Sequence, residues 1–200
     1  MRTFQTDELL DQLTKDTQTL IQTVTDTFRP LTDADLNRQP TPDRWSIAQC
    51  LEHLNSYGHY YIPMLEAAIA NGEENGIPAA PTFKSGWLGN YFANSMRPRA
   101  NGSIALKMKA VKAHTPAPKQ NASAVLDLFL EQQEAILELL DRAKRVNIQH
   151  LRVPISIAKL IRLSAGDTFR FLIAHEQRHV LQASRVAAEW NLRPKISVKS

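Results

Sequence analysis

Two hundred residues, 43% of them apolar and 22% charged, suit one domain with a packed core and exclude wholesale disorder. A single cysteine, Cys50, excludes an internal disulfide framework and any cysteine-built zinc finger. Residues 1–10 carry Asp7 and Glu8 and no apolar core of a signal peptide, and no uninterrupted apolar run reaches the roughly 18 residues a bilayer span requires, so a soluble, cytoplasmic protein is expected.

The net charge of +4 is mild but unevenly placed. Residues 97–119 contain Arg97, Arg99, Lys107, Lys109, Lys112 and Lys119 with no acid among them, and Arg193, Lys195 and Lys199 follow in the last residues. The stretch has no aromatic side chain for base stacking and lies between helices. It reads as a solvated loop near an anionic substrate rather than as a nucleic-acid surface.

Taken in chain order, residues 6–28 place Leu9, Leu10, Leu13, Leu20, Ile21, Val24 and Phe28 at three- and four-residue spacing, an amphipathic helix that Pro30 stops. A second helix opens at Ser46, with Gln49 completing a capping box, and carries Ile47, Cys50, Leu51, Leu54, Tyr57, Tyr61 and Leu65 inward. It is expected to bend at Pro63 and to end near Ala70, before Asn71-Gly72. Residues 83–96, with Trp87, Leu88, Tyr91 and Phe92, predict a short helix, and 97–121, broken by Pro98, Pro116 and Pro118, a long loop.

The third long helix starts at an N-cap, Ser123, and buries Leu126, Phe129, Leu130, Ile136, Leu137 and Leu140. Residues 146–163 are poorly periodic, hold Pro154, and have room for a short strand or turn. The fourth long helix opens at Ser164 or Asp167 and runs to about Trp190. With no internal repeat and no convincing set of paired strands, the four apolar stripes can bury only against one another. The expected fold is an all-α four-helix bundle, with a short extra helix and a long loop between the second and third long helices. It forms one domain over residues 1–190, followed by a basic tail at 191–200.

Chemistry concentrates in His175-Glu176-Gln177-Arg178-His179. Histidines at i and i+4 share one helix face and can reach one metal ion. Leu172, His175, His179, Gln182, Val186 and Trp190 fall on one line, so the imidazoles stand where apolar residues would. The pattern is also the HExxH of zinc peptidases, with Glu176 as general base. Downstream, however, Gln182 and Arg185 stand where glycine and histidine would continue that motif, and Glu189 lies about 15 Å along the helix from His179.

His53 is the better third ligand, one turn after Cys50 at the edge of an inward face, and three imidazoles leave a coordination position open. His59 falls roughly on the opposite side of that helix, and His114 and His150 lie in loops without a spacing partner. Gln182 can orient a ligand from behind, and Gln133 can face the same cavity or mark a stripe edge. Tyr57 and Tyr60 can offer hydroxyls or simply pack. Cys50 reads as a buried thiol more readily than as a fourth ligand, and Trp45 as packing at the helix start, without chemistry.

Residues 44–54, Arg-Trp-Ser-Ile-Ala-Gln-Cys-Leu-Glu-His-Leu, resemble the W-S-[IV]-x-[EQ]-x-[LV]-x-H-[LI] signature of DinB-like proteins, and His175 to Gln182 resembles their HxxxHxxQ. The loop over 107–118 is similar to one that many members carry, and the resemblance spans about residues 5–190. It implies a metal-binding four-helix bundle with His53, His175 and His179 as ligands. The family includes thiol S-transferases acting with bacillithiol or mycothiol, a thiol-dependent isomerase and members without an assigned reaction.

The expected function is a metal-dependent thiol S-transferase or hydrolase. The alternatives are an HExxH zinc peptidase and a non-catalytic module that binds metal or a small ligand. The expected cofactor is one divalent ion, zinc or nickel first and iron or manganese after them, with a low-molecular-weight thiol as possible cosubstrate. The expected partners are a small-molecule substrate and a second copy in a homodimer, with no nucleic acid and no membrane.

Overall fold

The computed structural model describes residues 2–99, 101–104 and 110–192, and of Lys159 the backbone alone. Lys107 and Lys109 of the basic stretch and the whole basic run Arg193, Lys195 and Lys199 lie outside the described residues. Four long helices make the body: α1 (Thr6–Thr23), α3 (Ile47–Glu74), α5 (Ala122–Ala143) and α6 (Ala165–Glu189), with the short helices α2 (Asp33–Asn37) and α4 (Trp87–Met96) between them. Both α1 and α3 pack against α5 and against α6, so α1 and α3, consecutive long helices, stand on opposite corners of a four-helix bundle. This arrangement sets the second long helix directly beside the last. No helix among the described residues is long and apolar enough to cross a membrane.

The apolar stripes meet in one core that includes Leu10, Val24, Phe28, Ile47, Leu65, Ile69, Phe129 and Phe169. Each fully buried side chain of this size stabilises by about 1.5–3 kcal/mol. α1 continues through one wider turn, Val24–Phe28, where Arg29 N–H reaches Val24 O at 3.0 Å, and both Val24 and Phe28 stay buried before Pro30 ends the helix. The Ser46–Gln49 capping box forms as the sequence predicts, and Ser164 caps α6 through Asp167 N–H.

Several expectations are corrected. α3 runs beyond Ala70, through Asn71-Gly72, to Glu74. A Cβ on Gly72 would meet Leu151 Cδ2 at 2.9 Å, so this glycine permits a close contact. The terminator is Gly76 at φ +60°, with Ile77 N–H bonded to Gly72 O and Gly76 N–H to Glu73 O. The N-cap of α5 is Asn121, which accepts from Ala124 N–H, and not Ser123. Phe83 belongs to a strand, and α4 begins only at Trp87.

Paired strands are present too. β1 (Thr3–Gln5) pairs antiparallel with β2 (Thr82–Lys84), matching Phe4 to Phe83, and β3 (Arg152–Ile155) forms a hairpin with β4 (Ala158–Ser164). Three-residue strands are too short to show alternation, and the register of the hairpin shifts at Pro154/Ile155, which blurs its period.

A buried polar cluster ties these additions to the bundle. Asp167 accepts from Ser85 Oγ at 2.5 Å, Gly86 N–H at 2.9 Å and Arg170 Nη1 at 2.9 Å, and Arg170 also reaches Asn90 Oδ1 at 3.1 Å. Both charges are almost wholly buried, so each depends on the other for compensation. α4 approaches so closely here that a Cβ on Gly89 would sit 2.4 Å from Asp167 Cβ. Gly89→Ala is therefore expected to push α4 off α6 and to cost about 1–3 kcal/mol, despite alanine's better helix propensity. Urea unfolding of the two proteins measures this, and an unchanged or raised midpoint would contradict the tight contact.

Candidate metal centre

The capping box fixes the first turn of α3, and one turn later His53 faces α6. There His175 and His179, stacked one turn apart, turn towards it: the imidazole centroids are 5.0 Å (His53–His175), 4.6 Å (His53–His179) and 4.7 Å (His175–His179) apart. One ring nitrogen from each lies within 4.8 Å of the other two. His53 Nε2 and His175 Nε2 are 3.2 Å apart. Three nitrogens holding one tetrahedral ion at about 2.0–2.1 Å would be spaced by roughly 3.3 Å, the spacing the His53–His175 pair already has.

The outer nitrogens decide which atoms are free. His53 Nδ1 lies 2.7 Å from the carbonyl of His114, which can only accept, so the proton is on Nδ1 and Nε2 presents a lone pair. Gln182 Oε1 accepts from His179 Nδ1 at 3.1 Å with the same result. His175 Nδ1 is buried and has no partner among the described residues. Burial lowers all three pKa values, that of His53 to about 4 and of His179 to about 3. That of His175 falls well below the usual value through burial, reinforced by His179 and His53. At neutral pH the cluster is three uncharged imidazoles, the form that binds metal.

A cavity of about 450 Å³ opens onto the histidines, walled by Trp45, Tyr57, Met96, Arg178 and Gln182, with Asp43 and Arg44 at its exposed edge. Trp45, read from the sequence as packing without chemistry, is a wall of the site, its ring 4.8 Å from that of His53 and 5.8 Å from that of His179. His114, which had no spacing partner, supplies the carbonyl behind His53, and its ring lies 4.0 Å from that of Tyr57. Gln49 Nε2 holds the same loop through Ala117 O at 3.1 Å. Burial raises the Tyr57 pKa to about 12, which keeps its hydroxyl protonated.

Other expected site residues are not on the wall. Glu176 turns away from the cavity into the bundle, where Gln133 Nε2 donates to its Oε1 at 3.2 Å. Burial raises its pKa to about 8. Glu176 and Gln133 are thus paired with each other in the buried interior, and neither lines the cavity. Tyr60 packs edge-on against Tyr61 and does not line the cavity, which is the packing outcome the sequence left open.

Cys50 is buried outside the histidine cluster, its thiol pKa pushed up by burial. His59 bonds to Asn55 O on its own helix. Of the basic stretch, the described cations Arg97, Arg99, Lys112 and Lys119 are exposed and off the wall, which among the described residues takes Ala110, Val111 and Thr115 from this region. The cation inside the cavity is Arg178 of α6, its Nη1 3.4 Å from Ser95 O.

The fold has a counterpart among known proteins. A solved structure of YfiT from Bacillus subtilis, described as a probable metal-dependent hydrolase with an unusual four-helix bundle topology, superposes with a TM-score of 0.51 over 91% of this chain and 87% of that one, at 13% identity. At that identity the likeness speaks for the fold alone. No curated protein matches the chain significantly. The family model of the DinB superfamily matches residues 7–183, a span that contains all three histidines, and the chain belongs to that superfamily.

Proposed function

We propose that the chain is a metal-dependent enzyme acting on a small molecule, with His53, His175 and His179 holding one divalent ion and thiol S-transfer as the reaction. The observation that carries this reading is the convergence of three uncharged imidazoles, two of them with Nδ1 already committed to an acceptor, onto one point of an open cavity. Zinc and nickel suit such a set best, with iron and manganese after them. When bound, the ion supplies Lewis acidity, which brings the pKa of a thiol or water into the physiological range.

The surrounding residues each have a part in this reading. The His114 carbonyl and Gln182 hold two rings in orientation. Trp45 and Tyr57 narrow the access of water. Arg178 offers a guanidinium to an anionic group, a thiolate or a carboxylate of a thiol cosubstrate. Tyr57 keeps a hydroxyl proton to donate.

Hydrolysis is the second reading, supported by the likeness to YfiT, which is itself described in those terms. Peptidase chemistry through HExxH is the less favoured reading, because the carboxylate of Glu176 is bonded to Gln133 in the bundle interior and does not line the cavity. A homodimer is part of the proposal. Trp87, Tyr91, Leu160 and Ile161 are large exposed apolar side chains that a second copy can cover, and light scattering should give twice the chain mass.

Elemental analysis should find about one divalent ion per chain. His175→Ala and His179→Ala should lose most of it, His53→Ala should lose far more than His59→Ala, and Gln182→Ala should weaken binding by about tenfold or more. Retention of the ion in all three ligand variants would refute the site. In paired assays of apo and metal-loaded protein, thiol conjugation should depend on metal and survive Glu176→Gln. Metal-dependent peptide cleavage abolished by that substitution would restore the peptidase reading.

A further inference from the structure

Beside the histidine cavity lies a second, smaller one of about 70 Å³, and its lining is of another character. Tyr61 of α3, Phe92 and Met96 of α4, Ile155 and Leu163 of the β3–β4 hairpin and Phe171 of α6 form most of it. No charged side chain lines it among the described residues, whereas the histidine cavity has Asp43, Arg44 and Arg178. The Tyr61 hydroxyl is already engaged, accepting from Ser156 N–H at 3.1 Å. Water there would find few partners, so an apolar group displaces it favourably.

The two cavities adjoin. Tyr57, Met96 and Val111 line both, and Phe171, one turn before His175 on α6, stacks on the His175 ring at 5.8 Å and 10°. A molecule with its polar end at the histidines therefore has an apolar recess within reach of its other end. Size limits what fits. A cavity of about 150 Å³ accepts benzene, so this one takes a chain of roughly three or four carbons and not an aromatic ring. The walls also give a purpose to α4 and the β3–β4 hairpin, neither of which belongs to the four-helix bundle.

We propose that the substrate is a small molecule with a short unbranched or singly branched alkyl group, which this annex binds while the polar reacting end faces the histidines. The proposal rests on the metal-site reading given above. It names a substrate class: polar at one end, aliphatic over three or four carbons at the other, and uncharged along that portion.

The test is calorimetric titration of the zinc-loaded protein with n-alkyl hydroxamates from acetohydroxamate to octanohydroxamate. The shared head reads the metal site and the chain reads the annex. Each methylene that enters should tighten binding by about fourfold, over three or four methylenes, with no further gain beyond. Two variants locate the effect. Ile157→Asp places a charge at the exposed rim, where folding is little affected, and Leu163→Phe fills the interior. Each should abolish the chain-length gain and leave acetohydroxamate binding unchanged. Equal affinity along the whole series, or a gain that survives both variants, would overturn the annex and leave the metal site standing. Failure of acetohydroxamate to bind the zinc-loaded protein would overturn the metal-site reading, and the annex proposal with it.

Discussion

Two imidazole lone pairs facing each other inside a helical bundle repel unless something positive lies between them. His53 and His175 present that problem, Nε2 to Nε2 at 3.2 Å, and His179 adds a third donor close by. Burial disfavours the obvious remedy of protonating the rings, since it lowers all three pKa values. A proton on His175 Nε2 can bridge one pair but leaves the third ring unserved. A divalent cation satisfies all three donors together. Outer partners reinforce the arrangement, because the His114 carbonyl and Gln182 each hold a proton on the Nδ1 side and turn Nε2 inward.

The placement of the helices follows the same demand. His53 lies on the second long helix and the other two histidines on the last, so the site exists only because α3 and α6 are neighbours. Setting α1 and α3 on opposite corners achieves this, with α1 and α5 completing the core. The buried Asp167–Arg170 pair then anchors α4 and the β2 segment to the start of α6, two turns before His175. Removing one member of such a pair strands a buried charge, so the cluster commits this end of the molecule to one geometry. Around that frame, α4 and the hairpin shape the space beside the histidines.

How much of this could be read from the sequence depended on whether the signal was local. The four long helices showed themselves through apolar spacing, and Ser46–Gln49 and Ser164 through cap chemistry confined to a few residues. The histidine pair was visible for the same reason, as an i, i+4 relation. Glycine misled, because one that permits close contact, Gly72, looks the same in sequence as one that ends a helix, Gly76. Trp45 and His114 escaped because their roles arise from where a loop lies in space. A backbone carbonyl behind His53 leaves no trace in residue type, since any residue offers one. Glu176 shows the converse limit: the pattern names a carboxylate beside the histidines but not its partner, Gln133, which comes from another helix.

The most direct test of the three-imidazole site is long-range proton–nitrogen NMR of the histidine rings, recorded while zinc is added to the metal-free protein. The account predicts that His53, His175 and His179 alone respond, each through Nε2, at one equivalent of zinc, with the proton of His53 and of His179 on Nδ1 throughout. Zinc-dependent shifts at His59 or His150, or a proton that stays on Nε2 of any of the three in the zinc-loaded protein, would contradict it.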